Sequence, residues 1–274
     1  MAATHATLAV VCAVVLYPVL WVVKLALAPT QSLALSANPL PTEITWSHFS
    51  DVIGHTDAHG RWLFGRQLLA SVVVSGATTI VGLSLAVTAA YALSRFRFPG
   101  KDAGLQVLLV TQMFPATLML VPLFSLLQHL GLLDSLAGLV LVYSTASLPF
   151  CVWMLKGYFD TLPRELEEAA LVDGASSVQI FVRVVLPLAR PALAVTALFS
   201  FMTAWNEFIL AATLLNDETR FTLPVALQRY VGEYKTEWGH FAAGALVISA
   251  PVMALFFALQ KYLVGGLTAG AVKG

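Results

Sequence analysis

The chain has 274 residues, of which 58% are hydrophobic and only 11% charged, with a mean hydropathy of +0.82. An ordinary soluble domain carries about a quarter charged residues, so this composition describes a membrane protein. Lysine plus arginine equals aspartate plus glutamate at 15 each, and without a basic surplus no nucleic acid is expected as a partner.

Crossing the bilayer core takes about 20 apolar residues. Uncharged or nearly uncharged runs place spans at about 6–27, 67–94, 103–128, 135–156, 190–216 and 240–262, in one transmembrane domain covering 1–274. Alternating strand patterns are absent, and backbone groups in lipid must bond internally, so an all-α integral membrane bundle of six transmembrane helices is expected.

The uncharged run 6–23 within the first span lacks a basic segment before it, and its lysine, Lys24, follows it directly. It therefore reads as an uncleaved helix rather than a signal peptide. Residues 29–66 form a long loop broken by Pro29, Pro39 and Pro41. In it His55, Asp57 and His59 could hold a metal, although a hydrated loop is the commoner meaning of such spacing. The short loop "SRFRFPGK" follows the second span, and the third span carries Gln112, with Pro115 and Pro122 expected to kink it. Cys12 and Cys151 lie in apolar runs and read as small buried hydrophobes.

Orientation follows from basic residues. Arg95, Arg97, Lys101, Lys156, Arg164, Arg183, Arg190, Lys261 and Lys273 flank one side, nine in all, against six on the other: Lys24, Arg61, Arg66, Arg220, Arg229 and Lys235. Both termini and the stretch 157–189 are thus expected in the cytoplasm. Trp21, Trp62, Trp153 and Trp238 fall near span ends, as interfacial aromatics do.

That stretch is the most polar interruption of the chain. Pro163 suits a helix start, and Glu165, Glu167 and Glu168 fit the positive end of its dipole. Gly174 is a left-handed stop, and Ser176 with Gln179 reads as a capping box for a second helix. Val178, Phe181, Val182 and Val185 would share its apolar face until Pro187 and Pro191 end or kink it. A solvated connector and an interaction motif are both consistent with these features.

In the fifth span Asn206 and Glu207 are costly polar groups. They either line a solute path or hold a gate, or they make an interhelical hydrogen bond with no part in passage. No G-x-x-x-x-G-K-[ST] loop and no His-Glu-x-x-His motif is present, so neither ATP hydrolysis nor zinc hydrolysis is expected of this chain.

Glu168-Ala169-Ala170, then Gly174, then Leu186-Pro187 resembles the EAA loop of ABC importer permeases, with Val184 where isoleucine is commoner. "QMFP" at 112–115, "AWNEF" at 204–208 and the tail "GGLTAGAVKG" at 265–274 resemble the second permease of maltose-type carbohydrate importers. The resemblance implies a type I importer permease with a cytoplasmic coupling helix, non-catalytic and carrying a disaccharide such as trehalose. It implies a second permease subunit, two ATPase subunits holding ATP and Mg, and an extracellular or lipid-anchored solute-binding protein, in a bacterial plasma membrane. By the same resemblance Glu168, Ala169, Ala170 and Gly174 contact the ATPase, with Leu186 and Pro187 anchoring the return. Gly265, Gly266 and Gly270 would let an extended tail (263–274) reach between the ATPases, the alternative being a frayed terminus. An ion-coupled secondary transporter would instead show repeated halves and midplane ionisable residues.

Overall fold

The computed structural model describes residues 2–30, 38, 40–41, 43–232 and 235–271, with the side-chain surroundings of 2, 116 and 263–271 excepted. Helices form throughout: α1 Ala2–Leu27, α2 Ser47–Ile53, α3 Leu63–Arg95, α4 Lys101–Gln112, α5 Leu120–His129, α6 Leu136–Thr161, α7 Glu165–Val172, α8 Ser177–Ile180, α9 Leu186–Leu188, α10 Arg190–Trp205, α11 Ile209–Leu214, α12 Leu223–Leu227 and α13 Trp238–Ala271. Among the described residues no strand occurs beyond isolated bridges at Thr56–Trp62 and Val231–Thr236. Among the described residues α1, α3, α6 and α13 each hold a segment long and apolar enough to cross a membrane, and the number reaches six when two bent helix pairs count as spans.

Kinks are expected from Pro115 and Pro122 within 103–128 and from Pro187 and Pro191 ahead of the fifth span, and both bent pairs turn through far more than a kink. The third span breaks after Gln112, and α4 and the stretch from Thr117 to His129 meet at 92°. Pro115 is the cause. It has no N–H to continue the helix, it disfavours helical geometry at Phe114, and its own ψ of 130° is extended. The fifth span opens with a 78° bend between Leu188 and Arg190, where Pro191 withholds the N–H that the Pro187 carbonyl would accept. Ala189 N–H still closes the last turn before the bend on the Val185 carbonyl at 3.0 Å. The same span breaks again after Trp205 before α11 resumes at Ile209.

The contacts form two compact units, Met1–Ala70 with Glu218–Val252, and Ser71–Asp217 with Met253–Gly274, whose boundaries fall inside α3 and α13. In the first unit Ala26, Ala242 and Ala243 are buried with Val22, Leu25, Phe49 and Leu246 against them. Small residues here let helix backbones approach closely. The proline-rich loop contains a helix that sequence reading missed: α2 turns His48 and Val52, four residues apart, inward, and His48 Nε2 lies 2.8 Å from the Ala28 carbonyl. Asp57 accepts from the backbone of His59 and Arg61 and pairs with Arg61 Nε at 2.6 Å. The backbone donation from Arg61 is the chief reason its carboxyl sits at about 2.

In the second unit the core joins α3 (Ala86, Val87, Ala90), α6 (Cys151, Val152, Leu155, Phe159) and the stretch from Ile180 to Ala192. A Cβ added at Gly82 of α3 would lie 3.4 Å from Ser147 Oγ and 3.7 Å from Ser200 Oγ, so α3, α6 and α10 converge there. Phe150 and Phe199 pack with ring centroids 3.9 Å apart, locking α6 to α10. Cys151 is buried as expected, whereas Cys12 is exposed on α1.

Candidate functional site

The polar stretch between α6 and α10 takes its shape from local hydrogen bonds. α7 carries Glu165, Glu167 and Glu168 in its first turn, where the helix dipole favours them. It ends in a complete left-handed cap: Gly174 has φ +81°, its N–H reaches the Leu171 carbonyl at 3.0 Å, and Ala175 N–H reaches the Ala170 carbonyl at 3.0 Å. Two residues beyond Gly174, Ser176 closes a reciprocal capping box with Gln179 at the start of α8. Helix, glycine turn and helix thus form as the residues dictate.

The apolar face of the second helix differs from expectation. Residues Phe181–Val185 make a π-helical turn, which adds a residue per turn and shifts the register. Ile180 and Val185 are buried and Phe181 partly so, whereas Val178 and Val182 are exposed.

What anchors this element is a network that sequence reading did not find. Glu167 accepts from Arg95 Nε at 2.5 Å and from Tyr91 hydroxyl at 2.8 Å. The two charged side chains are only 8% and 14% exposed, so the pair is charge-assisted and largely dry. Arg95 also donates to Ser94 Oγ and to the Leu162 carbonyl, and Ser94 Oγ donates to Asp160, itself paired with Lys156 at 2.6 Å. The Tyr91 ring meets Phe181 at 4.7 Å and Phe159 at 6.2 Å. Three helix ends, those of α3, α6 and α7, are therefore tied at one place. Opposite charge in the "SRFRFPGK" loop and the α7 start hinted at pairing, but nothing local specifies Arg95 with Glu167 across 72 residues.

With that side fastened, the other side is open. Glu168, Ala169 and Gly174 are exposed and Ala170 is half-buried. Around them Leu166, Leu171, Val172 at 88% and Val178 at 72% leave large apolar side chains uncovered. Leu186 and Pro187 are half-buried, Leu186 packs against the core, and Tyr158 hydroxyl holds the Leu188 carbonyl at 3.1 Å.

Two of the polar residues expected within the spans, Gln112 and Glu207, bond to α6. At the break in the fifth span, Glu207 accepts from Tyr143 hydroxyl at 2.6 Å and from the backbone of Leu210 and Ala211 at 2.9 and 3.0 Å. It satisfies amides at the start of α11 that have no helical partner. Asn206 donates back to the Met202 carbonyl at 2.9 Å. At the break in the third span, Gln112 donates to the Ala146 carbonyl at 3.1 Å and lines a cleft of about 320 Å³ with Thr111, Phe114 and Thr145.

The final helix runs on to Ala271, so the backbone of Gly265, Gly266 and Gly270 follows a helical course rather than the extended one expected. A helix satisfies its own backbone groups where an extended tail needs partners for them. The side-chain surroundings of 263–274, and any contact of the tail, lie outside the described residues.

Similarity to known proteins agrees with this architecture. Over 261 residues the chain is 36% identical to the trehalose transport system permease protein SugB of Mycobacterium tuberculosis (strain CDC 1551 / Oshkosh), covering 94% of this chain and 93% of that one. It is 38% identical to the maltose/maltodextrin transport system permease protein MalG of Escherichia coli (strain K12), with 99% and 95% covered. A chain of a bacterial ABC transporter involved in import of the acidic polysaccharide alginate superposes with a TM-score of 0.78 at 25% identity, covering 95% of each. Residues 79–268 match the model of the binding-protein-dependent transport system inner membrane component. The helix, glycine turn and helix between α6 and α10 lie inside that match, and the chain belongs to this family of inner membrane transport components.

Proposed function

We propose that the chain is the permease subunit of an ATP-driven importer for a sugar, set in motion by partner ATPases through α7, Gly174 and α8. The observation that carries this reading is the two-sided coupling element. One side is fixed to α3 and α6 by the Arg95–Glu167–Tyr91 network, and the other presents uncovered leucine and valine beside Glu168 and Ala169. A short helix clamped at one face transmits displacement to the spans; a loose loop absorbs it. Apolar side chains on a charged, capped element fit a cleft on a protein partner.

In this reading 157–189 and both termini lie in the cytoplasm, as the basic residues favour. ATP and Mg are held by two ATPase subunits, a second permease completes the path, and a solute-binding protein delivers the sugar from outside. The tail with Gly265, Gly266 and Gly270 makes a further ATPase contact. Gln112 belongs to the translocation path, while Asn206 and Glu207 hold the break that shapes it. The relatives named for trehalose and for maltose/maltodextrin favour a small neutral glucoside, and we take a disaccharide such as trehalose as the cargo.

Site-specific crosslinking tests the coupling. Ala169→Cys in the assembled complex should crosslink to the ATPase subunit, and ATP should change the yield. Crosslinking to no ATPase, in a complex that still takes up sugar, would remove α7 as the contact. Uptake of a disaccharide panel then decides the cargo.

A further inference from the structure

The two broken spans meet on one turn of α6. Gln112, last residue before the first break, holds the Ala146 carbonyl; Glu207, within the second, holds Tyr143. Tyr143 and Ala146 are three residues apart and share a face of α6. Irregular backbone at membrane depth is tolerated where it is buried in protein or lines a watery cavity. Here it borders the cleft of about 320 Å³ that Thr111, Gln112, Phe114, Thr145 and Leu210 help to line.

Prolines add hydrogen-bonding capacity to that cleft. Pro115 lacks the N–H that the Thr111 carbonyl would accept in a continuing helix, and Pro149 within α6 lacks the one for Thr145. Both threonines line the cleft. Among the described residues that line it, the remaining walls are apolar and none is ionisable. A mostly apolar hollow with a few polar groups suits a ligand with apolar faces and neutral polar edges, and an uncompensated charge there would be costly.

We propose that this cleft is a station at which this subunit itself contacts the passing solute, and that it accepts an uncharged sugar ring. Phe114 offers an aromatic surface to the face of the ring, and Thr111, Gln112 and Thr145 serve its hydroxyls. A sugar acid is disfavoured because none of the described residues lining the cleft is a cation. This rests on the importer reading above and adds which residues of this chain the solute touches.

The complete complex in proteoliposomes provides the test, in a Cys12→Ser background because Cys12 is exposed. Gln112→Ala, Phe114→Ala and Thr145→Val are each compared with the parent for sugar moved per ATP hydrolysed, using a panel of neutral disaccharides. That ratio should fall about tenfold for the cognate sugar, as loss of one well-made contact implies. Separately, Gln112→Cys should react with a small polar thiol reagent, and the cognate disaccharide should slow the reaction while a uronic-acid disaccharide should not. Unchanged ratios in all three variants overturn the proposal, as does labelling of Gln112→Cys that the sugar leaves unaffected. Should a variant fail to assemble, the labelling result decides. Wild-type uptake that needs no ATPase would defeat the importer reading instead, while sugar protection of Gln112→Cys would still report the station.

Discussion

Replacing Gly174 perturbs the coupling element through backbone conformation alone. Its φ is +81°, and an added Cβ would meet nothing within 4 Å. An L-residue in this region costs about 1–2 kcal/mol, so Gly174→Ala should open the α7–α8 turn roughly 5–30 times more often. Asparagine tolerates left-handed geometry and should cost less than alanine. Proline fixes φ near −65° and removes the N–H that bonds the Leu171 carbonyl at 3.0 Å; the loss is about 3 kcal/mol or more. ATP-dependent uptake by the reconstituted complex should therefore fall in the order Gly, Asn, Ala, Pro, with transport abolished in Gly174→Pro while the spans still insert. Amide exchange at 174 and 175 should speed up in the same order. Wild-type uptake by Gly174→Pro, with the turn shown to be open, would refute the reasoning.

Arg95→Ala strands Glu167 in a nearly dry site and should destabilise the second unit by about 3–5 kcal/mol. Replacing both Arg95 and Glu167 with leucine should cost less, as thermal unfolding of the detergent-solubilised complex would show. A bulky charge at Ala169, as in Ala169→Glu, should leave insertion intact and abolish ATP-coupled uptake, because the side chain is exposed on the face opposite the anchor. Glu207→Gln keeps one acceptor for three donors and should lower the melting temperature, by about 1–3 kcal/mol of lost hydrogen bonding; an unchanged melting point contradicts the capping role. The Asp57 carboxyl is depressed from 3.8 to about 2. Its contribution to the 57–61 turn is thus full above pH 3.8 and lost as pH falls through about 2. Amide exchange at His59 and Arg61 should follow that window.

Much of this was legible before any coordinates. The stop at Gly174 and the capping box at Ser176 depend on neighbours within a few residues, and they form as the residues dictate. Apolar length likewise marked the runs in which the long helices α1, α3, α6 and α13 form. The register of 178–185 was not legible, because a π-helical turn inserts a residue without any change of composition. Pro115 announced a kink, but a 92° break depends on what the two halves pack against. The helix at 47–53 was hidden by nearby prolines and by its shortness, and long-range contacts sustain it: the packing of His48 and Val52 and the His48 bond to the Ala28 carbonyl. The Arg95–Glu167 pair and the convergence of both breaks on Tyr143 and Ala146 join residues 34 to 72 positions apart, which no local pattern encodes.

Everything turns on whether a partner's ATP moves this chain. Sugar uptake should be measured in proteoliposomes holding the complete complex and its solute-binding protein, with ATP inside, with ADP inside, and with an imposed proton or sodium gradient. Uptake that requires ATP, requires the ATPase subunits and disappears in Gly174→Pro is the predicted result. Uptake driven by the ion gradient without the ATPase subunits would contradict the account.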